Sequence, residues 1–294
     1  MNTVGKGGFK GFYMKVSVLL IVLMLWSHIG YAQAGDIVIS LGGDLNSQQR
    51  MTILEHFGVD EAQKDEIKLL EVHIHEEYEY LGDIAGPEII GNKTMSSIYL
   101  EVLPEGDGVH VETHNITWVT KEMYASALVT AGVQDVLIKA AAPFPVSGTG
   151  ALTGVLKAFE EVTGEPLTEE NKRVAHEELV ILTELTEIVD DSDLSNQLIQ
   201  RAKEEILRNR PLDYEEIEEI VQRIARELDV SLSPEQLERI VRFLEKFNDL
   251  EIDLEQLTEQ ISRFFQDPDN RSFIVRAIQQ VLDLVREFID RIRE

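Results

Sequence analysis

The hydrophobic pattern of this chain changes period near residue 165. Before that point, short apolar runs alternate with polar residues at every second position. After it, apolar residues recur in steps of three and four. A period of two is that of a half-buried strand, and 3.6 that of an amphipathic helix. The chain therefore reads as α+β. A small mixed α/β domain spans residues 35–164 and an all-helical region spans residues 165–294.

Within the first part, Ile37-Val38-Ile39-Ser40-Leu41 predicts a strand ended by Gly42-Gly43. Asp44 is placed to cap a helix carrying Met51, Leu54 and Phe57 on one side and stopping at Gly58. Residues 67–74 resume as a strand. Ile98, Leu100 and Val102 alternate with polar residues, as do Val109 and Val111 beyond the turn Glu105-Gly106-Asp107-Gly108, which predicts a hairpin. A helix opens at Thr120, a buried strand covers 136–142, and a further helix covers 147–162. Leu54-x-x-Phe57-Gly58-Val59 and Leu128-x-x-Ala131-Gly132-Val133 echo each other, each a helix stop feeding a strand.

In the second part, Asp213-x-x-Glu216, Ser233-Pro234-x-Gln236 and Asp253-x-x-Gln256 each pair a capping residue with Glu or Gln three positions later. Apolar stripes follow at 217–228, 237–247 and 254–264. Asp267-Pro268 starts a last helix, with Ile274, Ile278, Val281, Val285, Phe288 and Ile292 in alternating steps of four and three. That spacing suits antiparallel packing within the chain, or a seam through which the C-terminal helix forms a homodimer.

Residues 1–34 predict a signal peptide. Lys6, Lys10 and Lys15 form a positive start, Val16–Trp26 is an uncharged apolar stretch too short for an ordinary bilayer span, and Ala32-Gln33-Ala34 supplies a small-x-small site with cleavage after Ala34. Removing this leader takes three lysines and no acid, so the formal charge moves from −27 to −30 over the remaining 260 residues. No later segment is long and apolar enough to span a membrane. The expected product is secreted or extracellular, and having no cysteine it uses no disulfide. So anionic a surface repels phosphate backbones, which argues against nucleic acid as a partner.

Several segments carry a resemblance: Leu41-Gly42-Gly43-Asp44-Leu45 with Gln49, Tyr80-Leu81-Gly82, Asn115-Ile116-Thr117-Trp118-Val119-Thr120 with Tyr124, Ala141-Ala142-Pro143-Phe144-Pro145-Val146-Ser147-Gly148-Thr149-Gly150-Ala151-Leu152-Thr153-Gly154, and Leu250-Glu251-Ile252-Asp253-Leu254. Together they resemble the YpuA-like family of secreted Gram-positive proteins, a domain of unknown function (DUF1002). The resemblance implies an exported protein without an established activity and supplies no catalytic residue. Its motif residues on this chain include Asp44, Trp118, Ser147, Gly148 and Gly154. The family pattern has a small residue, often alanine, where this chain has Gly150.

Ser147-Gly148-Thr149-Gly150 leaves a strand and opens a helix, where free N–H groups can meet an anion. It matches no P-loop, dinucleotide fingerprint or nucleophile elbow. Ser147 as a helix cap, with Gly150 and Gly154 permitting close packing, accounts for it. Glu71, His73, His75 and Glu77 share one face of an extended strand, and His110, Glu112 and His114 share the face of another. If those strands adjoin, His73, His75, His110 and His114 converge as ligands for Zn²⁺ or a similar ion; otherwise they are a solvated sheet face. Asp190-Asp191-Ser192-Asp193 and Asp267-Pro268-Asp269-Asn270 invite Ca²⁺ but lack the EF-hand Gly and Glu, and helix capping explains both. Trp118 and Tyr124 suit either a sugar-stacking surface or the core.

No motif assigns a cofactor or a catalytic residue. The leading reading is a non-enzymatic exported protein that binds an envelope protein or a cell-wall component. One alternative is an extracellular hydrolase, metal-assisted through the four histidines, with its site in the α+β domain. The other is an envelope protein that gathers divalent cations through its charge.

Overall fold

The computed structural model describes residues 32–59, 67–209 and 212–250. The predicted signal peptide up to residue 31, the predicted helix starts at Asp253 and Asp267, and the predicted C-terminal seam lie outside the described residues.

Five strands form one sheet: β1 (Ile37–Gly42), β2 (Lys68–Val72), β3 (Ser97–Val102), β4 (Val109–Ile116) and β5 (Val136–Val146), in the order β2-β1-β3-β5-β4. β2 is parallel to β1 and β4 to β5, while β3 is antiparallel to both β1 and β5. The carboxyl ends of β1, β2, β4 and β5 therefore lie together at one end of the sheet. The expected hairpin between β3 and β4 does not form, because β5 is inserted between them. The reason lies in burial. Ile98, Tyr99 and Leu100 are all buried, so β3 needs a partner on each side; β4 alternates buried Val109 and Val111 with outward His110 and Glu112, as an edge strand does. Asp135 ties the β3–β4 connection to the start of β5, accepting from the N–H of Leu103 through its carbonyl and of Gly108 through its carboxylate.

The period-two pattern assigns the two sheet faces. Val38, Ile98, Leu100, Ile138 and Ala140 point into the main core, and Ile39, Leu41, Tyr99 and Ala141 into a smaller one. Helix α1 (Ser47–His56) contributes Ile53 and Leu54 to the smaller core. Between β2 and β3 lie α2 (Ile74–Leu81) and the short α3 (Pro87–Ile90). On the main face, α5 (Thr149–Thr163) packs on β1 and β3, and α4 (Lys121–Ala131) on β4. Then α6 (Glu169–Val189) lies on α4, α7 (Ser192–Asn209) on α6 and α8 (Tyr214–Glu227) on α7, while α9 (Pro234–Asp249) returns against α6, α7 and α8. One continuous apolar core runs from Val38 and Ile138 through Leu152 and Leu182 to Val221 and Phe247, so it crosses the change of pattern at residue 165.

The helix ends follow the capping chemistry expected at Thr120, Asp213 and Ser233, the last two with reciprocal Glu216 and Gln236 bonds. Asp190, at φ +55°, closes α6, and the Asp191 carboxylate accepts from the N–H groups of Asp193 and Leu194, which is the capping role expected of that acidic run. The echoed stops also match: Gly58 and Gly132 have φ +76° and +92°, and Val59 and Val133 donate back to Leu54 and Leu128. Two expectations are corrected. Asn46, rather than Asp44, caps α1, and Gly148 at φ +99°, rather than Ser147, precedes α5.

A polar network lies inside the helical core. Lys203 Nζ, fully buried, donates to Glu178 Oε1 at 2.7 Å, Thr130 Oγ1 at 2.8 Å and Ser126 Oγ at 3.2 Å. It ties α7 to α4 and α6, and the buried Gln200 side chain joins the network by donating to Ser126 Oγ.

A candidate binding cleft at the carboxyl ends of the parallel strands

At the end of β1 the chain turns through Gly42-Gly43 into Asp44. A side chain at Gly42 would stand 2.5 Å from the Thr94 carbonyl oxygen, and one at Gly43 would collide with the His73 ring. These glycines thus bring the β1 exit, the entry to α2 and the segment before β3 together. Thr94 then joins two carboxyl groups. Its N–H donates to Asp44 Oδ2 at 2.8 Å, and its hydroxyl donates to Glu77 Oε1.

Asp44 is exposed, whereas Glu77, on α2, is only 2% exposed. Burial pushes the Glu77 carboxyl up to about 7, against the Thr94 hydrogen bond, and the neighbouring Asp44 charge pushes it the same way. On its far side Glu77 lies against Gly150 in the first turn of α5. The β5 exit completes the arrangement. Gly148 accepts the Tyr124 hydroxyl through its carbonyl, and a Cβ at Gly148 would stand 2.6 Å from that hydroxyl oxygen. Tyr124 is buried, and that burial raises its phenol. The Leu41–Leu45, Tyr124 and Ala141–Gly154 segments singled out in the sequence thus meet at one end of the sheet, where α/β folds commonly bind ligands. Further along α5, Gly154 lets the helix approach the sheet, with Ile98 and Ser40 within 3.3–3.4 Å of where its Cβ would be.

In front of Asp44 opens a cleft of about 590 Å³. It is lined by Asp44, Asn46 and Gln49 from the β1 exit and the start of α1, by Ile90, Asn92, Lys93 and Met95 from the segment before β3, and by Phe144 and Ser147 from the β5 exit. Asn46 and Gln49 use their side-chain oxygens for the α1 capping box, which leaves their NH₂ groups as donors. Phe144 stands between Pro143 and Pro145 and is 43% exposed.

The four predicted histidine ligands are not brought together. β2 ends at Val72, so His73 begins α2 and His75 lies in its first turn, where the expected strand face no longer exists. β2 and β4 are opposite edges of the sheet, four strand spacings or roughly 19 Å apart. His73 and His75 stack on each other at 5.8 Å. His110 approaches the Asp107 carbonyl at 3.0 Å, and His114 stacks at 4.1 Å on His56 of α1. Among the described residues no group of three or more histidine and carboxylate side chains is disposed to hold a metal ion. Trp118 is half-buried and donates through Nε1 to Glu187 at 2.8 Å, away from the cleft.

Sequence reasoning placed Glu77 on a strand face beside His73 and His75, whereas it lies in α2; it named Phe144 only within the Ala141–Gly154 segment, and it missed Thr94, which has no motif. The Pro143-Phe144-Pro145 run was the available signal: an aromatic held between two rigid residues at a strand exit.

The family model described as a protein of unknown function (DUF1002) matches residues 41–264, and the chain belongs to that family. Among curated proteins it is 34% identical over 273 residues to the "Uncharacterized protein YpuA" of Bacillus subtilis (strain 168), covering 90% of this chain and 92% of that one. No solved structure matches.

Proposed function

We propose that this is an exported protein that binds a component of the cell envelope through the cleft at Asp44 and Phe144, without catalysing a reaction on it. The observation that carries this reading is an open cleft, of a size usual for small-ligand sites, where segments that carry the family resemblance converge. The N-terminal pattern of three lysines, the uncharged apolar stretch 16–26 and Ala32-Gln33-Ala34 supports the location. No helix among the described residues is long and apolar enough to cross a membrane, which is compatible with a chain that acts after release.

A hydrolase is the second reading. One observation favours it: Asp44 and Glu77 share Thr94 while their environments differ, the pattern of a base beside a protonated acid. Against it, Glu77 is buried and is not among the residues that line the cleft.

Two experiments test the leading reading. Fractionation of expressing cells, with N-terminal sequencing of the product, should place the chain outside the cytoplasm beginning at Gly35. The purified chain should then co-sediment with isolated cell walls, and Phe144→Ala should weaken that sedimentation. Retention of the intact chain in the cytoplasm, or no sedimentation with walls, would overturn it.

A further inference from the structure

Building on the binding role just proposed, we infer that the cleft is a carbohydrate site, with Phe144 as the surface on which a sugar ring stacks. The chemistry of the lining points to a polyol. A sugar ring has a C–H face and a rim of hydroxyls that both donate and accept. Phe144 supplies an exposed apolar plane, and a proline on each side limits its backbone freedom, so little order has to be gained on binding. Asn46 and Gln49 present donors, because capping has already taken their oxygens. Asp44 gives one oxygen to Thr94 and keeps the other as an acceptor. Lys93, from the segment before β3, adds a further donor to the lining. The lining thus combines donors, an acceptor and an aromatic plane, the groups that a sugar's hydroxyl rim and C–H face require.

A peptide captured by strand addition needs a free sheet edge with its row of N–H and C=O groups. β5 pairs with β3 only as far as Ala141, so the stretch carrying Phe144 has no β3 partner, and a peptide is the competing occupant that the test must separate from a sugar.

Isothermal titration of the chain with tetrasaccharides of N-acetylglucosamine and of β-1,4- and α-1,4-linked glucose tests this. At least one should bind with a Kd of about 1 mM or tighter. Phe144→Ala should weaken it by at least roughly tenfold, the loss of one stacked ring (~1.4 kcal/mol). Phe144→Trp should retain it, and circular dichroism should show both variants folded. No heat with any of the sugars, or unchanged affinity in Phe144→Ala, would overturn the inference. An Ala-Glu-Lys-Ala peptide is the comparison arm. If it binds and the sugars do not, the carbohydrate assignment falls while envelope binding stands. If the chain also fails to sediment with walls, both fall.

Discussion

The carboxyl group of Glu77 rests directly on the α-carbon of Gly150: a side chain there would place its Cβ 2.6 Å from Glu77 Cδ. Glu77 is the far end of a flexible side chain, but it is buried and bonded to Thr94, so it has little room to move. Gly150→Ala is expected to destabilise the protein by about 1–3 kcal/mol, the usual cost of overpacking. That cost should shrink in a Glu77→Ala background, where the obstructing carboxyl is gone. Denaturant unfolding of the two single variants and the double variant measures the coupling, and simple additivity would show that the two residues do not press on each other.

Two buried groups make opposite contributions to acid stability. Glu77 is raised by burial from 4.5 to about 7, so its contribution is complete below pH 4.5 and lost as pH climbs to 7. His176 is lowered by burial from 6.5 to about 4, opposed by its bond to the Lys172 carbonyl, so its contribution is complete above pH 6.5 and lost as pH drops to 4. Each is worth at most about 3 kcal/mol, from 1.36 kcal/mol per pH unit. In the unaltered chain these two contributions should nearly cancel between pH 4.5 and 6.5. Glu77→Gln should expose the loss of stability with falling pH, and His176→Gln the loss with rising pH. Tm against pH reads both, and the same slope in the two variants would contradict the assignment.

Lys203 and Glu178 form a fully buried ion pair. Removing one partner strands a charge in the core. Lys203→Met or Glu178→Leu alone should cost about 3–5 kcal/mol, whereas the double change should recover most of it, because a well-packed apolar pair of similar volume often matches a buried bridge. Urea unfolding decides this. A double variant as unstable as the sum of the singles would mean that the hydroxyls of Ser126 and Thr130, which Lys203 also bonds, cannot tolerate losing it.

The corrected helix caps are directly testable. Asn46→Ala removes the side-chain oxygen that accepts from Gln49 N and should cost about 1 kcal/mol. Ser147→Ala removes no cap and should stay within about 0.5 kcal/mol of the parent. Thermal melts of the two variants in parallel give the comparison.

What could be read before folding was local. Capping at Thr120, Asp213 and Ser233 needs only residues three apart, so it was legible. The same holds for the glycine stops at 58 and 132 and for the amphipathic stripes of α8 and α9, which depend on neighbours one turn away. The role of Gly154 as a close-packing residue was legible too, because a glycine inside a helix has few other uses. Even here chemistry within a few residues can mislead: Asp44 and Asn46 both suit a cap, and the contact with Thr94, 50 positions away, decided between them.

The sequence by itself determined the two periodicities, the helix starts at Thr120, Asp213 and Ser233, and the kinship to its family, since each can be read from residues in their order along the chain. Only the tertiary structure decided that β5 enters between β3 and β4, that the histidines part to opposite edges, and that Glu77, Thr94, Asp44 and Phe144 gather at one end of the sheet. Strand order is chosen by which surfaces can be buried together. Ile98, Tyr99 and Leu100 are buried on both faces of β3, and a strand so placed takes a buried partner on either side rather than an exposed edge strand from the nearest turn.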